Sequence, residues 1–219
     1  MSTLLPALML TAAAAVPASA YRAALATDAG WQEVAVKKHA SVGEVRVRHK
    51  KVAGLDCLEG IAHTTASVEK LLSAARDIDG SRTWSSAKLL DSKALTSGVR
   101  FDYFQVLDNP FPIKDRYWFL RGETVRAGDT ASFEWHHIDP AAQHPAVYAR
   151  VVQDHPDAIS TGVNVGAWVF TQVEGKVRVH YRLCSDPGGS IPDWAGHKAA
   201  EMSLPTNIAD IIERARGQR

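Results

Sequence analysis

From Lys176 to Leu183 the chain alternates Lys176, Arg178, His180 and Arg182 with Val177, Val179, Tyr181 and Leu183. A period of two belongs to a half-buried strand, so this segment is predicted to lay one face on a core and turn the other to water. Glu174-Gly175 separates it from the apolar run Gly166-Ala-Trp-Val-Phe170, and the pair reads as a β-hairpin. Asp186-Pro-Gly-Gly189 stops the strand, and Pro192 stands where the first turn of a helix needs no amide donor. Asp193 to Arg216 is helical in composition. Pro205 divides it, predicting two segments, Asp193 to Met202 and Thr206 to Arg216, with a kink between them.

Upstream, Leu4 to Val16 is apolar apart from Pro6 and Thr11, and Ala18-Ser-Ala20 has the A-x-A form of a cleavage site. Residues 1–20 are therefore expected to be a signal peptide, leaving residues 21–219 as one domain with a periplasmic or secreted location. The apolar run is short for a membrane span. Short helical material follows from Tyr21, and Trp31 to Val36, Glu44 to His49 and Leu55 to His63 read as strands. Val68, Leu71, Leu72 and Ala75 recur at helical spacing behind caps at Thr64, Thr65 and Ser67. Next comes an antiparallel meander, Ala87 to Leu90, Val99 to Leu107, Arg116 to Val125 and Thr130 to Ile138. Tyr148 to Gln153 and on to Asn164 reads as irregular. Many strands, one helix among them and one long helix at the end predict an α+β domain whose curved sheet wraps the terminal helix.

Composition adds exclusions. Hydrophobic residues make up 46% and charged residues 22%, ordinary for a chain that buries a sizeable core, and the net charge of +1 offers no footprint for nucleic acid. His136 and His137 are neighbours on one strand and point to opposite faces, so they do not share a metal ion simply. No Ser-His-Asp order, nucleotide loop or Cys-x-x-Cys pair is present, so neither cofactor, metal nor catalytic residue is assigned.

The motifs G-x-W-x-F (Gly166 to Phe170), V-x-V-x-Y (Val177 to Tyr181) and D-P-G-G-x-I-P-x-W (Asp186 to Trp194) resemble the carboxyl end of a START domain. That is the lipid-transfer branch of the helix-grip, Bet v 1-like superfamily. Phe101-Asp-Tyr-Phe104 and the run from Pro110 to Arg121 resemble the aromatic strand, Pro-containing loop and Asp-Arg strand of the same family. The resemblance covers roughly Trp31 to Ala215. It implies a helix-grip fold, with a curved antiparallel sheet around a long C-terminal helix and a hydrophobic ligand held between them. It also implies that the strand before the first long helix lies beside the last strand. That places Cys57 near Cys184, as a candidate disulfide or as two buried thiols.

The candidate ligand-binding residues are Arg116, Trp118, Leu120, Phe133, Trp135, Val179, Tyr181, Trp194 and Met202, with Leu204, Ile208, Ile211 and Ile212 on the sheet-facing side of the helix. For each, plain core packing is the competing reading. Arg116 is a candidate for an anionic head group or carboxylate, or for an ion pair with Asp115 or with an acidic residue on a neighbouring strand. In the family the terminal helix and the loop corresponding to Leu107 to Lys114 are thought to open together, which makes Phe111 a candidate gate or membrane-touching residue. The resemblance implies a lipid or sterol-like carrier, a monomer with transient membrane contact. The alternative is a polyketide cyclase or aromatase using Tyr181, His137 or Arg116.

Overall fold

The computed structural model describes residues 16–189 and 193–219, and the side chains of residues 193–197, 199 and 200 also fall outside that description. The expected signal peptide therefore lies mostly outside the described residues. The first helix, α1 (Ala18–Leu25), carries Tyr21 and Leu25 as its buried residues. Three strands follow, β1 (Gln32–His39), β2 (Gly43–Val52) and β3 (Leu55–Thr64). Helix α2 (Val68–Arg76) starts where the Ser67 hydroxyl accepts from the Lys70 amide, and it buries Leu71, Leu72, Ala74 and Ala75. A short turn of helix, α3 (Ser81–Trp84), leads into the meander β4 (Leu89–Ala94), β5 (Arg100–Leu107), β6 (Arg116–Ala127) and β7 (Thr130–His137).

Two helices follow β7, α4 (Pro140–Gln143) and α5 (Pro145–Asp154), and the second takes up the start of the stretch expected to be irregular. The cause is local. Asp139 accepts from the Ala141 and Ala142 amides, and each helix begins on a proline whose missing N–H is not needed there. Val151 and Tyr148 of α5 pack on Phe104, Tyr117 and Phe119, on the outer face of β5 and β6. The chain ends with β8 (Ile159–Ser160), β9 (Val163–Val173), β10 (Lys176–Asp186) and α6 (Asp193–Arg216). Helix α6 runs unbroken across Pro205, so the two expected segments are one.

The sheet order is β1-β2-β3-β10-β9-β7-β6-β5-β4, antiparallel throughout, with β8 added parallel to β6. It has two edges and is not closed into a barrel. Helix α6 lies on its inner face against β1, β2, β3 and β10, and α2 lies beside it against β7 and β9. Leu204, Ile208, Ile211, Ile212 and Ala215 are among the buried residues of α6 and are spaced as one helical stripe. The fold is thus α+β, a curved sheet gripping its C-terminal helix.

Two glycines let aromatic rings lie flat on this inner face. A Cβ on Gly166 would stand 2.3 Å from the Trp135 ring and 2.6 Å from the Arg182 carbonyl oxygen, and one on Gly122 would stand 2.4 Å from Phe133. Among the described residues, no helix is long and apolar enough to cross a membrane.

Past Lys176 and Arg178, the polar face of β10 is not wet. His180 and Arg182 are buried beneath α1, where Glu59 of β3 is fully buried with them. Glu59 accepts from His180 Nδ1 at 2.6 Å and from Arg182 Nε at 2.6 Å, and it also pairs with Arg48. Arg182 goes on to donate to the Leu25 carbonyl at 2.6 Å and pairs with Asp28, tying the N-terminal helix down. Periodicity registered these residues as polar, and mutual neutralisation is what buries them.

Candidate functional site

A cavity of about 890 Å³ lies between the inner face of the sheet and the C-terminal part of α6. Its floor is an arc of rings. Tyr103, Phe133, Trp135 and Tyr181 follow one another at centroid distances of 6.2, 6.2 and 6.0 Å, and Trp168 stacks on Tyr181 at 4.1 Å. Strand register explains the arc. Trp168 stands opposite both Tyr181 and Phe133, and Gly166 opposite Trp135, so the large side chains of four strands emerge on one face. Trp118 and Leu120 of β6 extend this wall toward the mouth. There α3, the turn after it and the β5–β6 loop supply Trp84, Ser86, Leu107 and Ile113.

The polar groups in the walls are mostly engaged. Trp135 Nε1 donates to Asn164 Oδ1 at 2.9 Å, and Trp118 Nε1 donates to Gln105 Oε1 at 3.1 Å. Asp210 of α6 accepts from the Ser86 amide at 2.6 Å and the Ser86 hydroxyl at 2.8 Å, so the helix holds the turn at the mouth. Burial pushes the Asp210 carboxyl up despite those bonds and the nearby Arg219. Arg116 is buried, and its guanidinium donates to the carbonyls of Lys114, Asp115, Pro187 and Gly188. That set contains no carboxylate. The expected ion pair with Asp115 is instead a bond to its main-chain oxygen, and Arg116 joins the base of the β5–β6 loop to the turn before α6.

Of the residues expected to bind ligand, Arg116, Trp118, Leu120, Phe133, Trp135 and Tyr181 line the cavity. Val179 and Met202 do not. Val179 is fully buried within the closed part of the core. Met202 is 65% exposed, because it precedes Leu204 by two positions and so sits about 200° round the helix from the buried stripe. The Trp194 side chain lies outside the described residues. Phe111, at the tip of the β5–β6 loop, is 96% exposed. Tyr103, Gln105, Asn164 and Trp168 also line the cavity and were not among the expected residues. Tyr103 and Trp168 sit inside the aromatic motifs, at the parity of their inward neighbours, so the pattern held that signal.

Cys57 and Cys184 stand opposite each other in register and are joined as a disulfide, with Cα atoms 4.3 Å apart. That spacing is close to a non-hydrogen-bonded antiparallel pair. One metal-like grouping exists among the described residues. Asp28, Glu59 and His180 bring ligand atoms within 4.8 Å of one another, but the Arg182 guanidinium already bridges the two carboxylates.

The arrangement defines the helix-grip class, an antiparallel sheet folded over its own last helix. Within that class the fold is that of the START domains. The chain is similar to the STAR-related lipid transfer protein of Xanthomonas axonopodis, with a TM-score of 0.69 at 18% identity over 85% of this chain and 99% of that one. Human STARD10 gives a TM-score of 0.71 at 15% identity over 92% and 81%. Human StAR-related lipid transfer protein 5 gives 0.70 at 12% identity over 91% and 97%. At these identities the likeness establishes the fold alone. No protein-family model and no curated protein matches the chain.

Proposed function

We propose that this protein binds a hydrophobic ligand, a lipid or sterol-like molecule, between the sheet and α6, and carries it as a monomer between membranes. The observation that carries this reading is the cavity of about 890 Å³ whose floor is aromatic, in a chain with the START-domain fold. Such a volume and lining suit one ligand of moderate size, oriented by a few polar atoms. Proteins of the same fold named for lipid transfer support it. The cyclase reading draws no comparable support. Tyr181 and Arg116 line the space, but Arg116 donates to main-chain carbonyls and His137 stands outside the lining.

Export is part of the proposal. Among the described residues Tyr21 is the first buried side chain, and it follows Ala18-Ser-Ala20, so cleavage there keeps both buried residues of α1, Tyr21 and Leu25, in the chain. A disulfide persists in oxidising compartments, which fits the same location.

Native mass spectrometry of the protein purified from its own host tests both parts. The expected species starts at Tyr21 and retains one lipid per chain, and Trp135→Ala or Tyr181→Ala loses that lipid while remaining folded. Protein that arrives empty and takes up nothing from vesicles overturns the carrier. A chain that begins at Met1 overturns the export.

A further inference from the structure

The carrier reading leaves open what kind of molecule the cavity takes, and two hydroxyls in its wall bear on that. Tyr103 of β5 and Tyr181 of β10 both line the cavity. Neither hydroxyl has a hydrogen-bond partner among the described residues, and neither is sealed away as a buried orphan atom. Burial pushes the Tyr181 hydroxyl up to about 12 and Tyr103 well above its ordinary value, and the Tyr181 charge would raise Tyr103 further, so the two sense one another. Both remain neutral O–H donors at physiological pH.

Their aim is fixed by packing. Tyr181 is stacked on Trp168 at 4.1 Å, with an interplanar angle of 13°, and Tyr103 is wedged beside Phe101 at 5.8 Å and Phe133 at 6.2 Å. A ring so enclosed packs equally well as phenylalanine, so packing alone gives the two hydroxyls no role, and they stay open to a partner from the cavity. Two of them facing one apolar space point to a polar atom brought in from outside. The charged groups that border the cavity already have partners within the chain. Asp210 serves Ser86 and Arg219, Asp77 serves Trp84 and Arg214, and Lys88 pairs with Asp108. Arg116 has no counter-charge, but main-chain carbonyls already occupy each of its nitrogens.

We propose that Tyr103 and Tyr181 are the polar anchor of the cavity and select an uncharged ligand bearing one accepting oxygen, a ketone or alcohol on an otherwise apolar skeleton. The proposal rests on the carrier reading. It makes the two tyrosines specificity-determining residues, because a buried donor rejects an analogue that lacks its partner more sharply than an apolar wall does.

Displacement of the fluorophore phenylnaphthylamine from the full chain tests it with two matched series. One is cholestane, cholestanol, cholestanone and cholestanol sulfate, and the other octadecane, octadecanol and octadecyl sulfate. On whichever skeleton is retained, the neutral oxygenated member is expected to bind at least about tenfold more tightly than the hydrocarbon or the sulfate. Tyr103→Phe and Tyr181→Phe are each expected to weaken that member by about fivefold, to leave the hydrocarbon unchanged and to keep or raise the melting temperature. Equal binding of the hydrocarbon or the sulfate overturns the anchor, as does unchanged binding of the oxygenated member by both Phe variants. If neither the fluorophore nor any member of either series binds, the carrier reading itself fails, which is a separate result.

Discussion

Glu59 shows how much of this molecule rests on one carboxylate. Burial works to raise it, yet the hydrogen bonds and charges of His180 and Arg182 outweigh burial and hold the group at about 2, against an ordinary value of 4.5. A depressed carboxyl stabilises the fold above its unfolded value, and that contribution disappears as the pH falls. The protein is therefore expected to lose stability from about pH 4.5 down toward about pH 2. Glu59→Gln, which takes from buried Arg182 and half-buried Arg48 the carboxylate they share and leaves Arg182 only the exposed Asp28, is expected to cost about 3–5 kcal/mol at neutral pH and to flatten the acid limb. Urea denaturation at a series of pH values reads both effects, and an unchanged acid limb in the variant rules this account out. The sequence displayed His180 and Arg182 as alternating polar residues, and from alternation alone they belong outside. Their neutralising partner lies more than a hundred positions away, and no local pattern carries a pairing of that length. Trp135, Phe133 and Tyr181 were legible for the opposite reason: their parity along a strand is local information.

Among elements, β10 is the one the others are fitted to. It pairs with β3 and β9, meets α1 on its outer face, and faces α6 on the inner one. Its disulfide to β3 closes a loop across a sequence separation of 127, which restricts the unfolded chain strongly. Replacing both cysteines by alanine is expected to lower stability by about 2–5 kcal/mol, and reductant is expected to lower the melting temperature of the parent protein but not of the variant. Identical melting curves for the two proteins, with and without reductant, remove the bond from the account. Most of the strand and helix succession was readable from period and punctuation, the short α3, α4 and β8 excepted. Helix α5 was not, because its amphipathic stripe is short and its buried residue, Val151, finds a partner surface only once β5 and β6 have paired. Pro205 misled in the other direction. Tertiary packing of Leu204 and Ile208 holds the helix through a position where propensity alone would break it.

For the whole molecule, the question is how a ligand gets in and out. Phe111 stands 96% exposed at the end of the β5–β6 loop, whose base Arg116 joins to the turn leading into α6. An aromatic left in water at the rim of a hydrophobic cavity fits contact with a bilayer surface. Phe111→Asp is therefore expected to slow ligand transfer between vesicles about tenfold or more, with equilibrium binding and melting temperature unchanged. Transfer at the parental rate refutes the contact.

Helix α1 has a consequence for how the shell yields. Arg182 and Glu59 clamp it to the outer face of β3 and β10, beside the covalent tie between those strands. On the cavity side, the turn at Ser86 is held by a carboxylate and the β5–β6 loop by one guanidinium. The back of the molecule is joined by a covalent bond and a buried ion cluster, and its front by hydrogen bonds and ion pairs alone. The proposed carrier is therefore expected to open on its cavity side, parting its lips without loosening its back.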